Sequence, residues 1–526
     1  MPAPSRLRRV PLLLAGSLAV LFPAAIPLAA TASATAAPRK PVSAPAPAPA
    51  GARHPGRPVT LRGATKRSWR VTATTDRHPL RHPEAPAPGA APTRLVDCTS
   101  RHPVRGGRAS GGEGILALTM SAPGTSWANP KNTSVVVDVW VGRGRNRTNQ
   151  QQIVLFDGAR RFTYQAFVGR LTTGHHCVSV KVDPGRSTDH RRAAVAVYAA
   201  RLRVVPKSSP DYQAVTHAPV LYARRSSSGF DAQLLTDVTA VPAGRDVALS
   251  YTVIWTRERV GDGQVPFYEW GKFGRMTDIE TVLDERVAPS GRILSATYLS
   301  CGCESMPHYP DDQNAPPGPQ TETQVAYPDH GTPPALGRHL VLRDATGNND
   351  ESPYGTTPYR MQQVPVAGPA TGQVREVVMD RHPWTYRLSN EDLSRTSSID
   401  PNPRSTAPGR YPQYLVVDID TAPSGTSSIS VGVQISGDST WWTNDYAQSG
   451  VAYTGLNFYT GGHGRTVIKL PADWHRHRIT ALRLQLHPQA GQTASLQGKP
   501  VIRLIEVTPG FTIRRRPVPA PTIETG

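Results

Sequence analysis

An all-β, multidomain chain of β-sandwiches is what this sequence predicts, and three observations carry the prediction. Short apolar segments with two-residue alternation recur from Leu95 to Thr512. Successive side chains of a strand point to opposite faces, so such alternation marks a half-buried strand. Glycine (45 residues) and proline (52 residues) punctuate these segments closely, as a fold of many turns requires. No segment carries the wide apolar stripe of a surface helix. A length of 526 residues allows about three domains.

The chain opens with Arg6, Arg8 and Arg9, then an almost wholly apolar run from Val10 to Ala30, then small residues at Ala32, Ser33, Ala34 and Ala36. This is the pattern of a secretory signal peptide over residues 1–36, so the mature chain is expected to be secreted, extracellular and without a membrane span. Residues 37–94 are rich in Pro, Ala, Arg and His. They are expected to form a disordered arm, because they hold too little apolar surface to offset the entropy of ordering. The arginines around Trp69 make that arm a candidate contact for a partner.

The formal net charge is +20, which raises an anionic partner. Its distribution weakens that reading: residues 38–95 hold eleven Lys or Arg against Asp76 and Glu84, and the ends hold Arg6, Arg8, Arg9 and Arg514–Arg516. The basicity therefore belongs mainly to the flanks, and no specific nucleic-acid partner is implied.

From 95 to 206 the segments GILALTM, SVVVDVWV, QIVLF, FTYQAFV, HCVSVKV and AVAVYAARLRVV predict an immunoglobulin-like sandwich. Val135, Val137, Val139 and Val141 share one face, with Asp138 and Trp140 on the other. Four cysteines in an exported chain predict two disulfides, with three possible connectivities. Cys98 with Cys177 is the natural long-range pair, which leaves Cys301 with Cys303 in a very small ring.

Residues 211–405 read as a central all-β domain with long loops, its last strand candidate being REVVMD at 375–380. Residues 406–512 read as a jelly-roll-like sandwich, in which Leu482, Leu484 and Leu486 alternate with outward Arg483 and Gln485. Residues 513–526 are expected to be a flexible tail.

Candidate site residues concentrate around the stretch from Tyr251 to Arg286, dense in aromatics, glycines and carboxylates. Asp278 and Glu280, two apart in a strand, share a face about 7 Å apart, and paired carboxylates can divide acid and base work or hold a hard cation. Asp380 and His382, at a predicted strand end, pair a base with an orienting acid; the bland alternative is a His–Pro turn. Tyr268 and Trp270, and the cluster Trp441, Trp442, Tyr446 and Tyr459, are candidates for stacking on sugar rings; core packing is the alternative. Asp344, Asn348 and Asp350 lie in an oxygen-rich loop that suits calcium, a cofactor the sequence suggests without requiring.

No Gly-x-Ser-x-Gly, no His-Glu-x-x-His and no phosphate-cradling loop occurs, so common esterases, zinc peptidases and kinases are disfavoured. The leading expectation is a protein that binds or processes an extracellular polysaccharide or cell-wall polymer, as a carbohydrate-active hydrolase or lyase if it is an enzyme. The alternatives are a non-catalytic adhesive or structural surface protein, and a binder of an anionic polymer through the arginine-rich arm.

Overall fold

Within Lys66–Thr75, Trp69, Val71 and Ala73 are buried while Arg70, Thr72 and Thr74 are exposed, the alternation of a strand with one face on a core. This segment lies inside the expected arm and corrects that expectation for residues 58–81. The computed structural model describes residues 58–81, 95–98, 111–129, 131–142, 151–189, 191–223, 233–256, 274–275, 277–298, 323–325, 341–344, 359–361, 364–370, 376–396, 410–448, 451–453 and 463–525. The expected signal peptide and the remainder of the arm lie outside them.

β1 (Val59–Arg62), β2 (Lys66–Thr75), β3 (Val96–Asp97), β4 (Gly112–Ser121), β5 (Val135–Val141), β6 (Gln151–Leu155), β7 (Phe162–Leu171), β8 (Gly174–Asp183) and β9 (Ala194–Val205) form one nine-stranded sheet. Its order is β6-β5-β8-β2-β9-β4-β7, with β1 on β9 and β3 on β2. The end strands β6 and β7 are consecutive in the chain, so the sheet must curl until its ends approach. The amides of Phe156 and Asp157 both donate to the Tyr164 hydroxyl, at 3.2 and 3.3 Å, across that closure. The layers of the expected sandwich are thus made by one sheet bent over on itself. Every residue of β5 is buried, so Asp138 and Trp140 are covered as well as the valines. Cys98 follows β3 and is bonded to Cys177 on β8, with a Cα–Cα distance of 5.8 Å.

A short helix α1 (Tyr212–Thr216) leads to β10 (Val220–Ala223), β11 (Gln233–Ala243), β12 (Asp246–Trp255), β13 (Ile279–Val287), β14 (Ile293–Tyr298), β15 (Thr323–Val325), β16 (Val341–Asp344), β17 (Tyr359–Met361) and β18 (Val366–Ala367). They form two sheets, β14-β13-β12-β11-β18 and β15-β16-β10-β17. Leu249, Tyr251, Val253 and Val282 pack on Ile115, Phe167 and Val205 of the first sheet and on Val215 of α1. The Tyr251 hydroxyl donates to the Ala214 carbonyl at 2.8 Å, and His217 Nδ1 lies 2.9 Å from Glu285 Oε2, both side chains fully buried.

The segment expected as a strand at 375–380 is instead helical: α2 (Val377–Arg381) and α3 (Trp384–Thr396). Val377 and Val378 gave it a strand-like composition, but β-branching is a weak preference that packing overrides. Pro383 divides the two helices, since it disfavours helical backbone before it and suits the start of the next.

β19 (Tyr414–Ser424), β20 (Thr426–Ile435), β21 (Asp438–Thr443), β22 (Tyr446–Gln448), β23 (Val451–Tyr453), β24 (His463–Lys469), β25 (Ile479–Pro488), β26 (Ser495–Val507), β27 (Ile513–Arg516) and β28 (Pro521–Thr525) complete the chain. The sheets β24-β19-β26-β27 and β21-β20-β25-β28 enclose Leu415, Val417, Ile468 and Leu504 against Val431, Val433, Leu482 and Leu484, the predicted sandwich. β27 and β28 correct the expected flexible tail: Arg514 pairs with Glu506 and Thr522 with Arg483 in backbone register. The outer face of the β19 sheet, with Val416, Val467 and Ile505, joins a core that also contains Phe162, Tyr386 and Tyr411.

Candidate functional site

The predicted catalytic acids come together only in part, and arginines come with them. Asp278 is fully buried and Glu280 half-buried at the start of β13. One residue earlier, Thr277 Oγ1 contacts Met379 Sδ of α2 at 3.2 Å, so the β13 entrance and α2 are neighbours. Buried Arg275 donates from Nε to Glu376 Oε1 at 3.0 Å and from Nη1 to the Thr277 carbonyl.

Beside it, Arg465 of β24 is 1% exposed and makes a larger set of bonds. Its Nη2 donates to Asp380 Oδ2 at 2.5 Å, its Nε to Asp418 Oδ1 at 2.5 Å and its Nη1 to the Glu376 carbonyl at 3.4 Å. The Tyr386 hydroxyl donates to Asp380 Oδ1 at 2.7 Å. Burial opposes the charge of Arg465, but Asp380 and Asp418 outweigh it and raise the guanidinium well above its ordinary value. Burial, and then Asp380, likewise push the Tyr386 phenol well up. Asp380 is thus held by a guanidinium and a phenol, an arrangement that clamps α2 and α3 to β19 and β24. Sequence reasoning missed Asp418 and Arg465, and it missed the pairing of Arg275 with Glu376, an acid expected to be solvated and found buried, because partners up to 101 residues apart leave no local spacing.

His382 does not face Asp380 as an oriented base would. It caps the C-terminal end of α2, is 8% exposed, and its imidazole is lowered to about 4 by burial first and by Arg381 second. A histidine with a depressed folded value contributes fully above its unfolded value near 6.5, and that contribution disappears as the pH falls through the folded value. Stability is therefore expected to fall by about 3 kcal/mol between pH 6.5 and 4 on this account. Urea unfolding across that range checks it: His382→Gln should flatten the profile, and an unchanged profile would remove His382 as the cause.

The aromatic cluster is split by strand geometry. Trp441 and Trp442 are adjacent on β21 and point to opposite faces. Trp442 packs against the sandwich interior, its indole N–H donating to Asp438 Oδ2 at 3.0 Å. Trp441 is half-buried on the outer face, against Gly432 of β20 and with the Arg483 guanidinium carbon 4.6 Å from its ring centroid. A Cβ on Gly432 would stand 3.1 Å from the Trp441 ring, so glycine lets the indole lie close to the sheet. The backbone register sets Gly432 between Thr443 and Arg483, and Gln485 beside Ser430.

At the far end of this face the Ser430 hydroxyl donates to Asp445 Oδ1 at 2.5 Å, with His487 Nε2 2.7 Å away. A serine has one proton to give, so the His487 Nε2–H donates to Ser430 Oγ. That is the reverse of a serine activated by a histidine base. The outer face therefore offers a half-buried indole flanked by half-buried Arg483, Gln485 and Thr443, donors and acceptors that polar ligands need, while Ser430 is buried and already bonded.

Tyr446 lies on β22, whose backbone pairs with β23 at Tyr446 and Tyr453. Asp344 ends β16, while Asn348 and Asp350 of the expected calcium loop lie outside the described residues, as do Tyr268, Trp270, Tyr459, Cys301 and Cys303. No helix among the described residues is long and apolar enough to cross a membrane. No model of a known protein family matches this chain, and no curated protein matches it.

Proposed function

We propose that the protein is an exported polysaccharide-binding protein whose C-terminal sandwich holds a sugar ring on Trp441. The observation that carries this reading is the position of that indole: half-buried, on the solvent side of a sheet, over a glycine and beside Arg483. Aromatic faces supply large contact area at low entropic cost, and the polar side chains around Trp441 can bond ring hydroxyls. The Cys98–Cys177 bond supports an oxidising, extracellular location. The engagement of Asp380 supports binding without hydrolysis at the pair of Asp380 and His382, because both of its carboxylate oxygens are already bonded within the protein, to Tyr386 and Arg465.

Titration of the full chain with a panel of neutral and acidic oligosaccharides tests the reading. Trp441→Ala is expected to weaken binding about 30-fold, the loss of about 2 kcal/mol typical of a tryptophan anchor. Trp442→Ala should act on stability instead. Affinity indifferent to Trp441, or no saccharide bound at all, would refute the proposal.

A further inference from the structure

The two most basic short runs of the C-terminal sandwich, His475–Arg478 and Arg514–Arg516, are far apart in sequence and folded side by side. Arg516 joins them. Its Nη1 donates to the His475 carbonyl at 3.2 Å and to Glu506 Oε2 at 2.9 Å, its Nη2 donates to the His477 carbonyl, and its guanidinium carbon lies 5.6 Å from the Trp474 ring centroid. With Arg516 so placed, Arg476, Arg478, Arg514 and Arg515 are all exposed. Against these five arginines stand Asp473, 3.6 Å from His477 Nε2, and Glu506, which is buried and engaged by Arg516 and, at 3.6 Å, by Arg514. With Asp438, which faces His477 from the adjoining turn, counted as well, the edge is net positive by two charges before His475 and His477 are counted.

Charge on β27 has an ordinary use, since it is an edge strand and arginines there deter pairing with another chain. That use does not extend to Arg476 and Arg478, which come from a separate turn. The basic edge is also continuous with the Trp441 face. The Ser436 carbonyl accepts from His477 Nδ1 at 2.8 Å, the Ser436 amide donates to the Arg478 carbonyl at 2.8 Å, and the Arg478 amide donates to Ser436 Oγ at 3.1 Å. Ser436 and Gly437, the latter at φ 85°, make the two-residue turn into β21, and Trp441 lies three residues beyond Asp438, about 10 Å by strand rise.

We infer that the ligand is an anionic polysaccharide: one sugar ring stacks on Trp441 while carboxylates or sulfates of neighbouring residues meet Arg476 and Arg478. This rests on the binding reading above and names the class of polymer. Exposed cations act over about a Debye length, roughly 10 Å at moderate salt, the same length as the strand from Asp438 to Trp441.

The test uses the full chain, with polygalacturonate and its methyl ester as charged and uncharged probes, dextran sulfate as a sulfated probe and a DNA duplex as a competitor. The combined variant Arg476→Ser, Arg478→Ser spares Arg516, so its melting temperature should stay near wild type. At about 50 mM salt, wild type should prefer polygalacturonate to its ester by about tenfold or more, and about 500 mM salt should abolish that preference. The variant should bind the two forms equally. Equal affinity of wild type for both forms, or a preference the variant retains, overturns the inference while leaving Trp441-dependent sugar binding intact. Charge-dependent binding that ignores Trp441→Ala, with DNA competing as well as dextran sulfate, overturns the polysaccharide assignment itself.

Discussion

Arg465→Ala is expected to lower the free energy of unfolding by about 3–5 kcal/mol, the cost of removing one member of a buried ion network and leaving the other charges uncompensated. Asp418 and Asp380, 6% and 15% exposed at the side chain, would each lose a bond of 2.5 Å, and Tyr386 would be left facing an unneutralised carboxylate. Arg465→Lys should recover only part of the loss, because one ammonium cannot reach Asp418, Asp380 and the Glu376 carbonyl from the fork a guanidinium provides. Denaturant unfolding of the three proteins measures this. A loss below about 1 kcal/mol for the alanine variant would mean that the cluster contributes little.

The second large effect concerns the disulfide. Cys98 and Cys177 are 79 residues apart, and closing a loop of that length constrains the unfolded chain by about 4.5 kcal/mol in the chain-entropy model. Cys98→Ser with Cys177→Ser should therefore destabilise the first sheet by about 2–5 kcal/mol. The effect should be lost when wild type is compared under reducing conditions. Sugar affinity of the surviving folded fraction should not change, because the bond lies in the first sheet and Trp441 in the last.

What could be read from the sequence was the strand content, and the reason is the two-residue period. Leu482, Leu484 and Leu486 are buried and alternate with half-buried Arg483 and Gln485, as their spacing predicts. The same rule, applied to the expected arm, would have found β2 through Trp69, Val71 and Ala73; proline- and arginine-rich flanks obscured it. It would also have separated Trp441 from Trp442. The tail misled for a different reason: three successive arginines suggest a solvated segment, yet Arg516 is anchored by carbonyls of a turn about 40 residues away. Asp278, Asp380 and His382 were legible as residues but not as roles, since the guanidiniums and the burial that set those roles come from distant segments. The first helix after residue 376 was missed because two valines in five residues do not distinguish strand from helix.

The central claim, that the outer face of the C-terminal sandwich receives a saccharide, is tested most directly by hydrogen–deuterium exchange of the full chain with and without saturating polygalacturonate. The account predicts new protection in peptides covering 428–443 and 474–487, absent in Trp441→Ala, with the segment around Asp278 unchanged. Protection centred on residues 275–285 or 376–391, with none on β20, β21 and β25, would contradict it.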